Sequence, residues 1–351
     1  MRKTSGKKKT KTDPSPFPWP ELLALSTGAL LASSWQWEVG RIQLASLPQL
    51  VGGMVSLVGG GVLAGWRLPP SERRLGLVLL TVGALLSRLA SGLSPFFTFL
   101  PAVGGLAVMF WPLGKALLLL LPLGAWLGAM SGAGPAGVGL LSGLAMAVWA
   151  QRIRQGQSLF LAGVGAGLVG GLAALPSFPE GGWWGVGMAS LSSPASALLA
   201  WLALPGVERL VDRTSPLSLV GLLNPAHPLL ARLREQAPGT YYHSRDVAAL
   251  AEAGARAVGA DPLLATVGGL YHDIGKLARP QFFAENQHGE NPHRQLAPSM
   301  SKVVLAAHLR EGVELGRRYG LRGDVLKFVA THHGTSVMRY FSQQGASQGL
   351  A

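Results

Sequence analysis

Between Gly40 and Gly206 the chain holds only two acidic residues, Glu72 and Glu180, and this shortage of negative charge constrains the fold more than any other feature. A water-soluble surface mixes charges of both signs, so a stretch of this length without them belongs in a bilayer. The apolar runs agree. One covers about residues 22–35, and seven more follow at about 49–66, 76–93, 97–113, 115–131, 134–151, 159–176 and 183–205. A spanning helix needs roughly 20 apolar residues, and a helix satisfies its own backbone where no water is available. Pro95, Pro101, Pro112 and Pro122 are expected to break or kink the middle helices. The abundant glycines let neighbouring helices approach closely. Buried helices of a soluble protein are the alternative, and the same shortage of acidic residues argues against it.

Flanking charges give the orientation. Arg2, Lys3, Lys7, Lys8, Lys9 and Lys11 make residues 1–20 a basic tail, expected to be disordered. The run over 21–35 reads as an uncleaved anchor helix, because the charged leader is long and no convincing cleavage site follows it. With the tail inside, the crossings return the C-terminus to the same side. The loops carrying Arg67, Arg73 and Arg74, and Arg152 and Arg154, then also fall inside, as the positive-inside rule requires. The loop 176–182, with Glu180 and no cation, falls outside. The net charge of +13 would suit a polyanion, yet its placement points to topology and an anionic lipid bilayer as partner, not to polymeric nucleic acid. Arg88 and Lys115 are expected to snorkel to the interface. The expectation is a multi-pass plasma-membrane protein whose C-terminal part is cytoplasmic.

After Pro205 the composition changes, and all eight histidines lie beyond residue 226. Residues 206–225 read as a linker of mixed charge. Helices are expected at about 228–236, 243–258, 262–276, 300–319 and 322–333, with Gly and Pro between them. No useful alternation of strand type appears there, so the fold class is all-α: a seven-helix transmembrane region over 49–205, then a helical domain over 226–341. Residues 342–351 form a Ser/Gln/Gly-rich tail, expected to be disordered. With no cysteine, the chain has no disulfide and no thiolate metal ligand.

Five histidines and one aspartate carry the chemistry. His243 lies in Tyr241-Tyr242-His243-Ser244, and His272 and Asp273 are adjacent in Tyr271-His272-Asp273-Ile274-Gly275-Lys276. His308 follows Ala306-Ala307, and His332-His333 sits between Thr331 and Gly334. Imidazole and carboxylate suit divalent iron, manganese or zinc, and a carboxylate can bridge two ions. A single His-Asp pair near a helix end is more often structural, and His227, His288 and His293 read as loop residues. The combination on helices of one bundle is different, because the bundle can bring the side chains together.

These residues resemble the HD-domain phosphohydrolases, and more closely the seven-transmembrane HD hydrolases, membrane-bound cyclic di-AMP phosphodiesterases. The resemblance runs over about residues 49–341. It includes Asn224–Leu230, Ala237–Tyr241, Tyr271–Lys276, Arg279–Phe283, Glu285–Gln287, Asn291–His293 and His332–Thr335. It implies that His243, His272, Asp273, His308, His332 and His333 are metal ligands, with Asp273 bridging two divalent ions, manganese or iron. Water activated by the ions would attack phosphorus in line, opening cyclic di-AMP to the linear dinucleotide. Lys276, one turn beyond Asp273 if the helix continues, would neutralise a phosphate oxygen or simply be a solvated helix-end cation. Arg279 is a second phosphate-binding candidate.

Two departures from the family pattern are visible. Only about residues 36–48 separate the first two runs, where the family has a large extracellular domain. No Asp or Glu follows Asp324, whereas the family supplies one more aspartate to a metal from a further helix. One ion would then keep only His243, His272 and Asp273, and the HD domain would be C-terminally incomplete. A catalytically impaired nucleotide-binding or signalling protein therefore stands as the rival. A transporter predicts polar residues within the spans, and these are almost absent.

Overall fold

The computed structural model describes residues 19–38, 41–68, 70–153 and 156–334. The tails expected over 1–20 and 342–351 lie outside these residues, apart from Trp19 and Pro20, which open the first helix. The chain divides into two compact units, Met1–Arg152 with Leu159–Leu202, and Ile153–Ser158 with Ala203–Ala351.

The first unit is built from helices at the positions of the apolar runs. They are α1 (Trp19–Ser33), α2 (Leu47–Arg67), α3 (Pro70–Ala90), α4 (Leu100–Phe110), α5 (Leu113–Ser131), α6 (Ala133–Ala150), α7 (Gly156–Ala174) and α8 (Phe178–Val211). Between α1 and α2 the chain forms a hairpin of β1 (Trp35–Glu38) and β2 (Arg41–Leu44), paired antiparallel with Trp35 opposite Leu44. It is the one sheet among the described residues. Pro112 sits at the N-cap of α5, and Pro122 lies inside it without ending it. Gly182, with φ of +55°, kinks α8 near its start.

Helices α5 and α6, the window Leu47–Ala64 of α2, and the run Gly156–Val211 that comprises α7 and α8 are long and apolar enough to cross a membrane. Their packing is that of a membrane protein. Along α7 the small residues Ala162, Gly163, Ala166, Gly167 and Gly170 are buried, while Leu161, Leu168 and Leu172 are about two-thirds exposed. In water that arrangement would leave an apolar stripe uncovered. In lipid it places backbones in close contact and large side chains against acyl tails. A Cβ on Gly167 would lie 2.2 Å from the Ser190 carbonyl oxygen of α8, so only glycine permits this approach. Of the two cations expected to snorkel, Lys115 stays partly exposed near the start of α5, whereas Arg88 does not reach the surface. Lys115 pairs with Glu72 at 2.9 Å, and Arg88 is buried, at 2% exposure.

The second unit contains the end of α8, then α9 (Pro216–Leu222), α10 (Pro228–Gln236), α11 (Pro238–Val258), α12 (Pro262–Tyr271), α13 (Pro298–Arg318) and α14 (Gly323–Thr331). Four short 3-10 turns lie between α12 and α13. Local signals fix the ends. Asp261 caps α12 by accepting from the Leu263 and Leu264 amides, and Gly259 closes α11 at φ of +71°. Leu219, Leu229, Leu230, Leu233, Val267, Tyr271, Ile274, Val325 and Val329 form one apolar core. Residues 206–225, expected as a linker, are largely structured: Leu219 of α9 lies in that core, and Asp324 of α14 accepts from the Thr214 amide and hydroxyl at 2.8 and 2.7 Å.

Candidate metal centre

One difference from the expected helices lies at the site itself. The run expected as one helix over 262–276 stops at Tyr271. His272 is its C-cap, and Asp273 (φ −106°, ψ 15°) leads into a 3-10 turn over Ile274–Ala278. Two contacts explain the break. The Tyr271 hydroxyl donates to the Leu222 carbonyl of α9 at 2.9 Å, anchoring the helix end in the core. Gly275 then runs against α13 so closely that a Cβ there would lie 1.8 Å from the His308 carbonyl oxygen. A similar contact brings α12 to α11, where a Cβ on Gly269 would meet the Ala248 Cα at 2.6 Å. Glycine thus joins the elements that carry His243, His272, Asp273 and His308.

The six predicted ligands converge. His243, His272 and Asp273 offer ligand atoms within 4.8 Å of one another, and so do His308, His332 and His333. Asp273 joins the two groups, and its oxygens are divided between them. Oδ2 faces His272 Nε2 at 3.1 Å and His243 Nε2 at 3.8 Å, while Oδ1 faces His332 Nε2 at 3.3 Å and His308 Nε2 at 3.5 Å. Asp273, His272 and His308 are buried; the His243 side chain is about half exposed.

The electrostatics suit cations. His272 Nδ1 lies 2.7 Å from the Gly269 carbonyl, His308 Nδ1 contacts the Leu305 carbonyl, and His332 Nδ1 lies 3.1 Å from the Val329 carbonyl. A carbonyl only accepts, so each ring carries its proton on Nδ1 and turns the Nε2 lone pair inward. Burial lowers the His308 pKa against the raising effects of Leu305 and Asp273, and burial also lowers that of His333; both favour the neutral, ligating form. For Asp273, burial raises the pKa but is outweighed by its neighbours, the Lys276 charge beside Oδ2 among them, which hold it well below the usual carboxylate range. Its buried Oδ1 accepts no hydrogen bond. Inward lone pairs around an anionic carboxylate repel one another unless a cation lies among them, so the residues present fit divalent metal.

The two predicted phosphate contacts have carboxylate partners. The Lys276 ammonium lies 2.8 Å from Asp273 Oδ2 and 2.7 Å from Glu285 Oε1, with a side chain only 13% exposed. It is thus no solvated helix-end cation. Arg279 donates to Glu311 at 2.7 Å and is about half exposed. His227 caps α10 through Nδ1, and His293 contacts the Phe282 carbonyl at 2.8 Å, so both have local roles. Sequence reasoning gave no role to Glu285 and Asn286. Asn286 accepts from the Thr240 amide at 3.1 Å and donates to its hydroxyl at 2.7 Å, fixing the start of α11 three residues before His243. The motif containing them was visible, but nothing local marked its partner.

A buried bundle of helices presenting histidine and aspartate to a shared centre, following a membrane-spanning helical region, defines the class: residues 240–349 match the HD domain family. The chain is homologous to two proteins described as cyclic-di-AMP phosphodiesterase PgpH. It is 40% identical over 163 residues to that of Bacillus subtilis (strain 168), covering 46% of this chain and 23% of the relative. It is 40% identical over 157 residues to that of Listeria monocytogenes serotype 1/2a (strain 10403S), covering 44% and 22%. An uncharacterized protein of Synechocystis sp., slr0104, is 38% identical over 221 residues, 59% of this chain and 27% of the relative. The chain thus spans about a quarter of the length of these relatives. The crystal structure of the L. monocytogenes PgpH HD domain in complex with cyclic-di-AMP is 42% identical, covering 36% of this chain and 61% of that one, with a TM-score of 0.35.

Proposed function

We propose that the protein is a membrane-bound, metal-dependent phosphodiesterase that hydrolyses cyclic di-AMP to the linear dinucleotide. The observation that carries the reading is the division of the Asp273 carboxylate, one oxygen toward His243 and His272, the other toward His308 and His332. That is the arrangement a bridging ligand requires. The naming of both PgpH homologues supports the substrate.

In this reading His243, His272 and Asp273 would hold one ion and Asp273, His308, His332 and His333 the other, both manganese or iron. Such a pair supplies a water made acidic enough to attack at neutral pH and polarises the phosphate oxygens. The chain's own residues do the rest. The Nδ1 contacts to carbonyls fix the orientation of the His272, His308 and His332 rings, and Asp273 is itself buried. An ammonium has three donors; with one held by Glu285, Lys276 has others to turn toward a phosphate oxygen. Arg279, half exposed, supplies a second positive group at the rim. The domain plan that goes with this function is an anchor helix over 21–35, a seven-helix membrane region over 49–205 and an HD domain over 226–341 facing the cytoplasm.

The test is the purified full chain in detergent with manganese and cyclic di-AMP. A linear dinucleotide product that disappears with chelator is the expected result. Binding of manganese and cyclic di-AMP without product supports the nucleotide-binding rival, and no manganese binding overturns the assignment.

A further inference from the structure

Lys276 occupies an awkward place for a metal site. Its ammonium lies 2.8 Å from Asp273 Oδ2, the oxygen that faces His243 and His272. A dication using that oxygen would meet a positive charge a few ångströms away, and at such separations like charges repel strongly even with substantial screening. The chain supplies a second seat. Glu285 Oε1 lies 2.7 Å from the same ammonium, and the Phe283 ring centroid is 5.0 Å away.

Glu285 cannot follow the lysine. The Thr240 hydroxyl donates to its Oε1 at 3.0 Å, its neighbour Asn286 is clamped to Thr240, and its carbonyl oxygen lies against Gly239 so tightly that a Cβ there would approach to 1.9 Å. Lys276 is the mobile partner, a point charge on a four-carbon stem. One carboxylate of the pair is a metal-ligand candidate, and the other is fixed to the start of α11.

We infer that Glu285 is a positioning residue that draws the Lys276 ammonium off Asp273, so that the carboxylate is free to take metal while the lysine stays beside the site. This rests on the metal reading given under the proposed function. It assigns Glu285 no contact with metal or substrate; it acts through Lys276.

The experiment is a double-mutant cycle on manganese affinity, measured by calorimetry with the full chain in detergent and manganese alone as the probe. Glu285→Gln keeps the acceptor for Thr240 and removes only the charge. It is expected to weaken manganese binding about tenfold while leaving the metal-free thermal midpoint within about two degrees. In a Lys276→Met background the same change is expected to weaken binding less than threefold, because no ammonium remains to be drawn away. Equal losses in both backgrounds overturn the proposal, since the Glu285 charge would then act by itself. An unchanged affinity in Glu285→Gln also overturns it. If the wild-type chain binds no manganese, the metal reading fails and takes this inference with it, an outcome distinct from the other two.

Discussion

Nε2 of His308 and Nε2 of His332 face one another at 3.4 Å, each with its Nδ1 against a backbone carbonyl. Neither ring has a proton to offer the other, so the contact is favourable only with a cation between or beside the two nitrogens. His308→Ala is therefore expected to lower bound manganese from about two ions per chain to about one, since the His243 group is untouched. Elemental assay after dialysis against a fixed free manganese concentration checks this.

Asp273 serves both groups, so its loss has a wider effect. Asp273→Asn removes the charge that balances two dications and is expected to abolish binding of both. Hydrolysis of cyclic di-AMP should fall by more than about a hundredfold, given that outer-shell changes alone commonly cost 10–100-fold. Residual activity near that of wild type would remove the bridge from the mechanism.

Gly275→Ala tests the packing that sets the carboxylate in place. The added methyl would lie 1.8 Å from the His308 carbonyl oxygen and 2.7 Å from the Gly312 amide nitrogen, both backbone atoms that cannot step aside. The expected cost is about 3 kcal/mol or more in denaturant unfolding of the metal-free chain. A fully stable variant would show that the turn after Asp273 can be held another way.

The metal-free protein should be sensitive to mild acid. Burial holds the His308 imidazole below its ordinary pKa of 6.5, whereas the unfolded chain titrates near that value. Below about pH 6.5 the unfolded state binds the proton first, so stability is complete above that pH and falls as pH drops through the lower folded value. In the presence of chelator the thermal midpoint is expected to decline from pH 7 to pH 5, and less steeply in His308→Ala. A flat profile over that range would contradict it.

Because the chain has no cysteine, its topology can be read from single introduced thiols. Glu180→Cys is expected to react with a membrane-impermeant maleimide added to intact cells, and Arg209→Cys only after permeabilisation. The reverse pattern would place the HD domain outside.

The sequence by itself determined the helical membrane region, because composition answers directly to solvent: runs with almost no acidic residue fit lipid, and each became a helix whose ends lie within six residues of its expected span. It also carried the six ligand candidates, since their chemistry is written in residue type. The hairpin at Trp35–Leu44 was less legible, a pair of four-residue strands too short for alternation to stand out. What only tertiary structure decided was how the ligands are shared. Local pattern favoured a helix through Lys276, but the anchoring of Tyr271 on α9 and the approach of Gly275 to α13 ended it at His272. That break turns one Asp273 oxygen toward each histidine group and brings Lys276 between Asp273 and Glu285. These contacts join residues far apart in the chain, so no local spacing encodes them.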